Sequence, residues 1–339
     1  MLSVALCNCS NHWHKLPRLL MPNKLQPTQE IKCQPIPRFA FANAEAMREH
    51  LITASDPFIA TGVLDGWKVV RAWTPNYFAK RFGDLEVAAF VDLPANGAPY
   101  EMRSEDHLLR MTLRQFVERI DKSPKASYIH QLSAAKIPDI VDETHFRALV
   151  PPGGGDGMLY FWLGSGGTRS GLHFDRFDNL NAQVFGAKSV FIVSPDQCGR
   201  LYPFPDNVEK SRIDVDTPCF DRFPALSSVR AHTATLVAGE ILYIPKLWWH
   251  HFHSLSPAIN VNLWYGEHIS MRSILRVVAQ SGVGCWIQVA RDFVVCGLFG
   301  RPSRARLFSD VPTGKFLYET IAAGIRRRLI SVGKMVLSK

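Results

Sequence analysis

The sequence contains no hydrophobic run long enough to cross a membrane. The longest candidate, residues 282–300, is interrupted by Arg291 and Asp292, whereas a spanning helix needs about 20 predominantly apolar residues. The apolar start of the chain, residues 1–7, has no preceding basic residue and no small-residue cleavage site, so it does not fit a secretory signal. We therefore expect neither a membrane-spanning nor a secreted protein, and we predict a cytoplasmic one.

Cysteine is sparse and shows no disulfide framework. The chain has seven cysteines, an odd number without regular spacing, which favours reduced thiols in a cytoplasmic protein. One short cluster, formed by Cys7, Cys9, His12 and His14, has the spacing of metal ligands. It lacks a second half and lies at the chain end, so we expect no metal site from it.

Negative charge is scarce at the two ends of the chain. The net charge is +9, of which residues 1–34 carry +3 and residues 301–339 carry +7, so the remainder is nearly neutral. No specific nucleic-acid motif accompanies the basic ends. Such ends can make weak contact with an anionic surface, or they can simply keep the protein in solution. Residues 15–38 contain five prolines, which predict an extended linker rather than a packed element.

What the sequence does contain is a series of short apolar segments punctuated by Gly, Pro and Asp. This pattern predicts an antiparallel sandwich or barrel. The predicted strands cover residues 158–163, 183–185, 189–193, 234–237, 241–244, 250–254 and 259–264. Helical patterns precede them at residues 44–53, 75–82 and 112–120, and helical periodicity returns after residue 266.

Candidate metal ligands lie in this strand-rich half. His173 and Asp175 are two residues apart, so on an extended chain both side chains share one face and can converge on one ion. The pair is a weak signal by itself, because such triplets arise by chance. His250 follows an apolar strand and a proline turn and would complete a two-His, one-carboxylate triad of the kind that holds Fe(II). His251 and His253 are rivals that lie off the face of His250.

A candidate anion-binding lysine follows on a neighbouring strand. Lys188 has the same strand parity as Val190 and Ile192, which predicts an inward-facing lysine among apolar residues. A buried lysine is rare unless it is paired, so an anionic ligand is its natural partner. The alternative is a lysine at a hairpin mouth that extends to water.

The ordered set of motifs resembles the cupin-type JmjC oxygenases. The resemblance covers about residues 35–266 of this chain. Within the family, the chain is similar to the asparaginyl hydroxylase that inhibits hypoxia-inducible factor. It rests on Ser170-Gly-Leu-His173-Phe-Asp175, Asn179, Gly186-Ala-Lys188, Ser194-Pro-Asp-Gln197, Leu201-Tyr-Pro203, Ile244-Pro-x-x-Trp-Trp-His250 and Asn262-x-Trp264-Tyr265.

The resemblance implies a mostly β fold with helical additions, namely a double-stranded β-helix (jelly-roll or cupin, JmjC-like) with a C-terminal helical extension. We accordingly predict three regions: a basic, proline-containing N-terminal tail over residues 1–34, a cupin-like JmjC catalytic domain over residues 35–266, and a basic helical extension over residues 267–339.

The resemblance also implies roles for individual residues. The predicted iron ligands are His173, Asp175 and His250. Lys188 and the Ser170 hydroxyl would hold the distal carboxylate of the cosubstrate 2-oxoglutarate, and O2 would be the second cosubstrate. Further polar positions of the cosubstrate pocket are Asn179, Asn262 and, in a looser alignment, Tyr128. The segment 205–224 and the pair Arg176–Phe177 depart from the family pattern where substrate would sit, so the substrate does not carry over.

The implied reaction is oxidation of a substrate carbon coupled to decarboxylation of 2-oxoglutarate to succinate and CO2. Hydroxylation of a protein or peptide side chain is the first expectation. The alternatives are hydroxylation of a small-molecule metabolite, N-methyl demethylation, and a non-catalytic cupin that binds a ligand or scaffolds a partner.

Beyond the resembling region, the C-terminal segment carries an apolar stripe at helical spacing. The stripe can pack on the protein's own core, form a homodimer through helices as the resembling hydroxylase does, or lie on an anionic membrane. Its members are Leu317, Ile321, Ile325, Leu329, Val332 and Val336.

Overall fold

The predicted strands form the two sheets of a jelly roll. The structure is a computed structural model that describes residues 30–137, 145–304, 306–309 and 311–337, with side chains up to residue 326. The strands are β1 Lys32–Pro35, β2 Arg38–Ala40, β3 Phe58–Thr61, β4 Glu86–Leu93, β5 Leu108–Thr112, β6 Ala126–Ser133, β7 Met158–Gly164, β8 His173–Phe174, β9 Asp178–Phe185, β10 Ala187–Val193, β11 Arg230–Val237, β12 Ile241–Ile244, β13 Trp249–Ser254 and β14 Ala258–Tyr265.

Helices lie between the early strands and after the last strand. They are α1 Ala44–Leu51, α2 Lys68–Ala72, α3 Pro75–Arg81, α4 Leu113–Lys122, α5 Met271–Gln280, α6 Val283–Asp292, a π-helical continuation Phe293–Leu298 and α7 Thr313–Leu337. None of these described helices is long and apolar enough to cross a membrane. The Cys7–His14 cluster lies outside the described residues, as do the side chains of Leu329, Val332 and Val336.

Local sequence signals account for where the helices begin. The Asn43 side chain accepts a hydrogen bond from the backbone N–H of Ala46 and caps α1. At α4 the Thr112 hydroxyl accepts from the Gln115 backbone, and the Gln115 side chain accepts in return from the Thr112 N–H. This reciprocal capping box satisfies two N–H groups that the first helical turn leaves free, and it confirms the predicted start of α4.

The two sheets have unequal sizes. The smaller has the strand order β1-β11-β10-β13-β8, and the larger has the order β2-β3-β12-β9-β14-β7-β6-β4-β5. Apolar side chains from both sheets meet between them, among them Ile192, Leu242, Ile244 and Phe252. Helices α1, α3 and α4 pack on the larger sheet, and α5, α6 and the start of α7 pack with the smaller one. This architecture confirms the predicted fold class.

The proline-rich linker prediction was wrong for its last residues. Residues Lys32–Pro35 form β1, which pairs in parallel with β11, and Ile36 next to it is buried. β1 is an edge strand of its sheet. Proline is compatible with an edge strand because one side of the strand needs no amide donors, so the proline count by itself did not exclude a strand.

A segment after α6 returns to the body of the fold. The Arg306 guanidinium donates to both carboxylate oxygens of Asp206, at 2.7 and 2.9 Å, and to the backbone carbonyl of Tyr100 at 3.2 Å. It also lies over the Phe204 ring. This ion pair holds the following residue, Leu307, in a buried position against the jelly roll.

We predict that Asp206→Asn lowers the free energy of unfolding by about 2–4 kcal/mol, because it leaves the mostly buried Arg306 guanidinium without its counter-charge. The matched control is Asp84→Asn, since Asp84 is fully exposed and pairs with Arg114 at 3.5 Å; its effect should stay below about 0.5 kcal/mol. Urea unfolding of both variants measures the difference. Equal effects would show that the Arg306 pair does not anchor the segment.

Candidate metal and cosubstrate site

Strand pairing brings the three predicted metal ligands together. His173 on β8 is the register partner of His250 on β13, and Asp175 follows β8. One ligand atom from each of the three residues lies within 4.8 Å of the other two. The Asp175 carboxylate oxygens lie 3.8 Å from His173 Nε2 and 3.6 Å from His250 Nε2. Two imidazoles and one carboxylate on one side of a common point form the facial arrangement that suits Fe(II).

Backbone carbonyls orient both imidazoles. The Nδ1 atom of His173 lies 2.9 Å from the Gly171 carbonyl oxygen, and Nδ1 of His250 lies 3.0 Å from that of Trp248. When Nδ1–H donates to a carbonyl, Nε2 keeps its lone pair for a metal ion. Burial lowers the pKa of both histidines, so both stay neutral and able to ligate.

Asp175 is oriented by two side-chain donors. Its Oδ2 atom accepts hydrogen bonds from Asn179 Nδ2 at 2.9 Å and from Trp264 Nε1 at 3.0 Å. These two hydrogen bonds fix the rotamer of the carboxylate. The residues that surround the ligands are therefore arranged as at a metal centre.

A ladder of amide side chains connects Asp175 to Lys188. Asn179 accepts from Asn262 at 3.0 Å, and Asn262 accepts from Asn260 at 2.7 Å. Asn260 in turn accepts from the Lys188 ammonium. Each amide both donates and accepts along the ladder, so these buried polar groups are satisfied and rigid.

Lys188 is buried without a counter-ion in the described part of the chain. Its ammonium lies 5.7 Å from the Tyr128 ring centre and 5.8 Å from that of Phe252, and the residue is 3% exposed. Burial lowers its pKa to about 7. The inward orientation predicted from strand parity is present. A buried ammonium that faces only neutral groups is complemented by an anionic ligand.

The small cavity in front of Lys188, which we call the inner cavity, is lined by three of the four remaining predicted cosubstrate residues. They are Ser170, Tyr128 and Asn262. The Ser170 hydroxyl accepts a hydrogen bond from the backbone N–H of Phe252 at 3.0 Å. This bond holds the Ser170 oxygen beside β13, which pairs with β10, the strand of Lys188. Asn179 differs from the prediction in detail, because it reaches the metal ligand Asp175 rather than the cavity wall.

Two buried polar atoms at the inner cavity have no hydrogen-bond partner among the described residues. They are Trp162 Nε1 and Asn181 Oδ1. Unpaired buried polar atoms are costly unless a ligand or water satisfies them. The Trp162 N–H is a donor and, with the Lys188 ammonium, suits a small polar dianion such as 2-oxoglutarate, whereas the Asn181 oxygen is an acceptor and needs a donor such as water. Sequence reasoning missed Asn181 and Asn260; amides at alternate positions of an apolar strand, as at Asn260 and Asn262, were the available signal.

A wider opening of about 300 Å³, the outer cleft, is lined by the ligands His173 and Asp175. It shares His173, Asp175 and Trp264 with the inner cavity. His130 stacks on Phe308 in its wall, with ring centres 4.5 Å apart and planes 2° from parallel. Sequence reasoning missed both rings, because one comes from β6 and the other from the segment after α6.

The rival residues are engaged elsewhere. His251 and His253 each lie 3.2 Å from the Asp216 carboxylate, away from the ligands, as the opposite strand parity predicted for His251. Arg176, the alternative anchor for the diacid, pairs with Glu209 and lies over the Phe316 ring of α7. Neither of these histidines nor Arg176 lines the inner cavity, whereas Lys188 does.

Comparison with known proteins agrees with this geometry. The sequence model of the cupin-like domain matches residues 44–271. Lysine-specific demethylase 8 of Xenopus tropicalis is 27% identical over 260 residues, covering 74% of this chain and 56% of that protein. HSPB1-associated protein 1 of Rattus norvegicus is 25% identical, over 65% of this chain and 50% of that protein. Human tRNA wybutosine-synthesizing protein 5 is 26% identical, over 68% of this chain and 78% of that protein.

The chain thus spans little more than half the length of the first curated relatives it matches, so their activities as whole proteins are similarities rather than assignments. The domain match covers more than half of the chain and includes the three ligands, Lys188 and the inner cavity. The chain belongs to the cupin-like domain family in its JmjC form, whose cofactors are Fe(II) and 2-oxoglutarate.

Proposed function

We propose that this protein is a Fe(II)- and 2-oxoglutarate-dependent hydroxylase that acts on a protein or peptide side chain. The observation that carries the proposal is that two of the three ligands, His173 and Asp175, line both the inner cavity and the outer cleft. The inner cavity is small and faces Lys188. The outer cleft is wider, and its wall carries both aromatic and charged side chains.

The residues present fit the cofactors of the family. His173, Asp175 and His250 would hold Fe(II), and Lys188 would pair with the distal carboxylate of 2-oxoglutarate, next to the Ser170 hydroxyl. Bound together, the iron and the diacid supply the oxidising power for O2-dependent attack on a carbon–hydrogen bond. The protein's own contribution is to fix the ligand geometry, to neutralise the diacid and to exclude water with the rings of Trp162, Trp264 and Phe252.

The charge in the outer cleft favours hydroxylation over N-methyl demethylation. Lys210 lines this cleft, its ammonium lies 5.0 Å from the Tyr100 ring centre, and it forms no ion pair with any residue of the described ranges. The other cation there, Arg176, is already neutralised by Glu209. The Glu209 and Asp175 carboxylates stabilise the Lys210 ammonium electrostatically, but neither forms an ion pair with it. A methylated ammonium beside the ligands would be repelled by Lys210, whereas a neutral or acidic side chain would not.

Two alternatives remain, namely hydroxylation of a small molecule and a non-catalytic cupin. A small-molecule metabolite would use the same chemistry, and a non-catalytic cupin would show no turnover with any substrate. The intact ligand set and the buried Lys188 support a catalyst, because both groups cost stability unless a metal and an anion bind.

We predict that His173→Ala, Asp175→Ala and His250→Ala each reduce Fe(II) binding and 2-oxoglutarate decarboxylation to background, since removing one of three protein ligands opens the triad. His251→Ala is the control: it alters the neighbouring histidine that faces Asp216, so iron binding should persist. Metal content and succinate formation in the presence of ascorbate are the measurements. Undiminished decarboxylation by His173→Ala would contradict the metal assignment.

We predict that Lys188→Ala raises the apparent KM for 2-oxoglutarate about 30- to 150-fold, because a charge-assisted contact to a buried carboxylate contributes on the order of 2–3 kcal/mol. Iron binding should change little. Lys246→Ala is the matched control, since the Lys246 ammonium is partly exposed and lies 3.9 Å from Asp178. An unchanged KM in Lys188→Ala would show that the diacid is anchored elsewhere.

The same lysine predicts a pH dependence. Burial lowers the Lys188 pKa to about 7, so the side chain is half protonated near pH 7, becomes fully charged well below that pH and loses its charge as the pH rises through 7. The apparent KM for 2-oxoglutarate should therefore be lowest below pH 7 and rise as pH increases, and this rise should be absent in Lys188→Ala. A KM that falls with increasing pH would contradict the assignment.

The reaction itself is tested by product mass. Peptides and metabolites are incubated with the Fe(II)-loaded protein, 2-oxoglutarate and O2, and mass spectrometry follows the gain of one oxygen or the loss of one methyl group. We expect oxygen addition to a peptide. Loss of methyl groups from methylated lysine peptides would favour demethylation, and oxygen addition confined to metabolites would favour the small-molecule alternative.

A further inference from the structure

The C-terminal helices expose an unusual amount of apolar surface. Of the sixteen large hydrophobic side chains that are exposed in the described residues, nine lie between residues 283 and 325. On α6 and its π-helical continuation the apolar positions recur at spacings of four, three, four and four, which places them on one side of the helix. We call this set the apolar stripe; it consists of Val283, Ile287, Ala290, Val294 and Leu298.

Packing among the described residues leaves the stripe uncovered. The opposite side of the same helix is buried through Cys285, Val289 and Cys296. Helix α7 already contacts this region, because the ring centre of its Tyr318 lies 5.5 Å from that of Phe293 in the π-helical continuation. The stripe therefore lies outward while α5, α6 and α7 are packed together, and it is available to an external surface.

Aromatic residues flank the stripe. Trp286 is 42% exposed and Phe299 is 69% exposed. Half-exposed Trp and Phe rings beside exposed aliphatic side chains are typical of helices that lie in the headgroup region of a bilayer, because their rings are soluble in the interface between water and acyl chains.

The charge of this region is equally one-sided. Residues 268–339 contain twelve Lys and Arg but three Asp and Glu, so their net charge of +9 equals that of the whole chain, and residues 1–267 sum to zero. Arg291 and Arg301 adjoin the stripe and are exposed. The acidic residue within α6, Asp292, is buried and accepts from Gln288, so it does not offset them at the surface.

We propose that the apolar stripe and its basic surroundings dock the protein on the surface of an anionic lipid bilayer. Aliphatic side chains would enter the acyl boundary while Arg291 and Arg301 contact phosphate headgroups, two contributions that reinforce each other in peripheral binding. The proposal is independent of the catalytic function, since it uses no residue of the inner cavity or the outer cleft.

Charge complementarity favours a bilayer over other occupants. In a twofold dimer the same patch meets itself, so the exposed Arg291 and Arg301 of one copy would face those of the other and would repel them. A nucleic acid would satisfy the arginines but would leave the aliphatic stripe in water, because protein contacts to the phosphate backbone are polar. An anionic bilayer offers both a negative surface and an apolar interior.

The test is co-flotation of the full-length protein with vesicles, one set of phosphatidylcholine and one of phosphatidylcholine with phosphatidylglycerol. We expect flotation with the anionic vesicles, little with the neutral ones, and weaker binding at high salt because screening reduces the headgroup contacts. Ile287→Ser with Leu298→Ser should lower binding to anionic vesicles at least about tenfold. Both side chains are more than half exposed, so folding should be preserved.

The matched control is Leu109→Ser with Leu255→Ser, which removes two exposed leucines outside the C-terminal helices and should leave binding unchanged. No flotation with anionic vesicles would overturn the proposal. Light scattering on the same samples decides between occupants: a dimer that the Ile287→Ser, Leu298→Ser pair converts to a monomer would assign the stripe to a second copy and would also overturn it. Succinate formation by both double variants should match the unmodified protein.

Discussion

The pairing of β8 with β13 is the contact on which the candidate site depends. It is only two residues long, yet it sets His173 directly opposite His250, and Asp175 follows where the chain leaves the strand. The hydrogen bonds around it are local: each imidazole is held by a carbonyl two residues earlier in its own chain segment. Because side chains alternate along a strand, a slip of one residue would turn one histidine away from the other.

The amide ladder from Asp175 to Lys188 joins the metal and cosubstrate halves of the site into one unit. Its members come from β9 and β14 of the larger sheet and from β10 of the smaller sheet. Buried amides are tolerated only when each donor and acceptor is satisfied, and a satisfied network resists rearrangement. The same ladder therefore positions the carboxylate that would ligate iron and limits where the ammonium of Lys188 can point.

The C-terminal region has two parts with different positions relative to the site. Phe308 and Phe316 reach back to the outer cleft and to Arg176, so this region shapes the space where substrate would lie. The apolar stripe on α6 faces outward and carries no part of the site. A boundary drawn at residue 266 describes where strands stop in the sequence, but the wall of the outer cleft includes residues from both sides of it.

Local patterns in the sequence indicated most of the strands after residue 158, the capped helices, the ligand pair His173 and Asp175 and the inward parity of Lys188, because alternation and capping depend on neighbouring residues. The order of motifs along the chain was enough to identify the JmjC type of cupin. Only the tertiary structure decided that Asn260 links Lys188 to the ladder, that Lys210 lines the outer cleft without an ion pair among the described residues, and that His130 stacks on Phe308. The first and last of these contacts join residues 72 and 178 positions apart. No local pattern encodes them, since they follow from how the sheets and the C-terminal segment pack against one another.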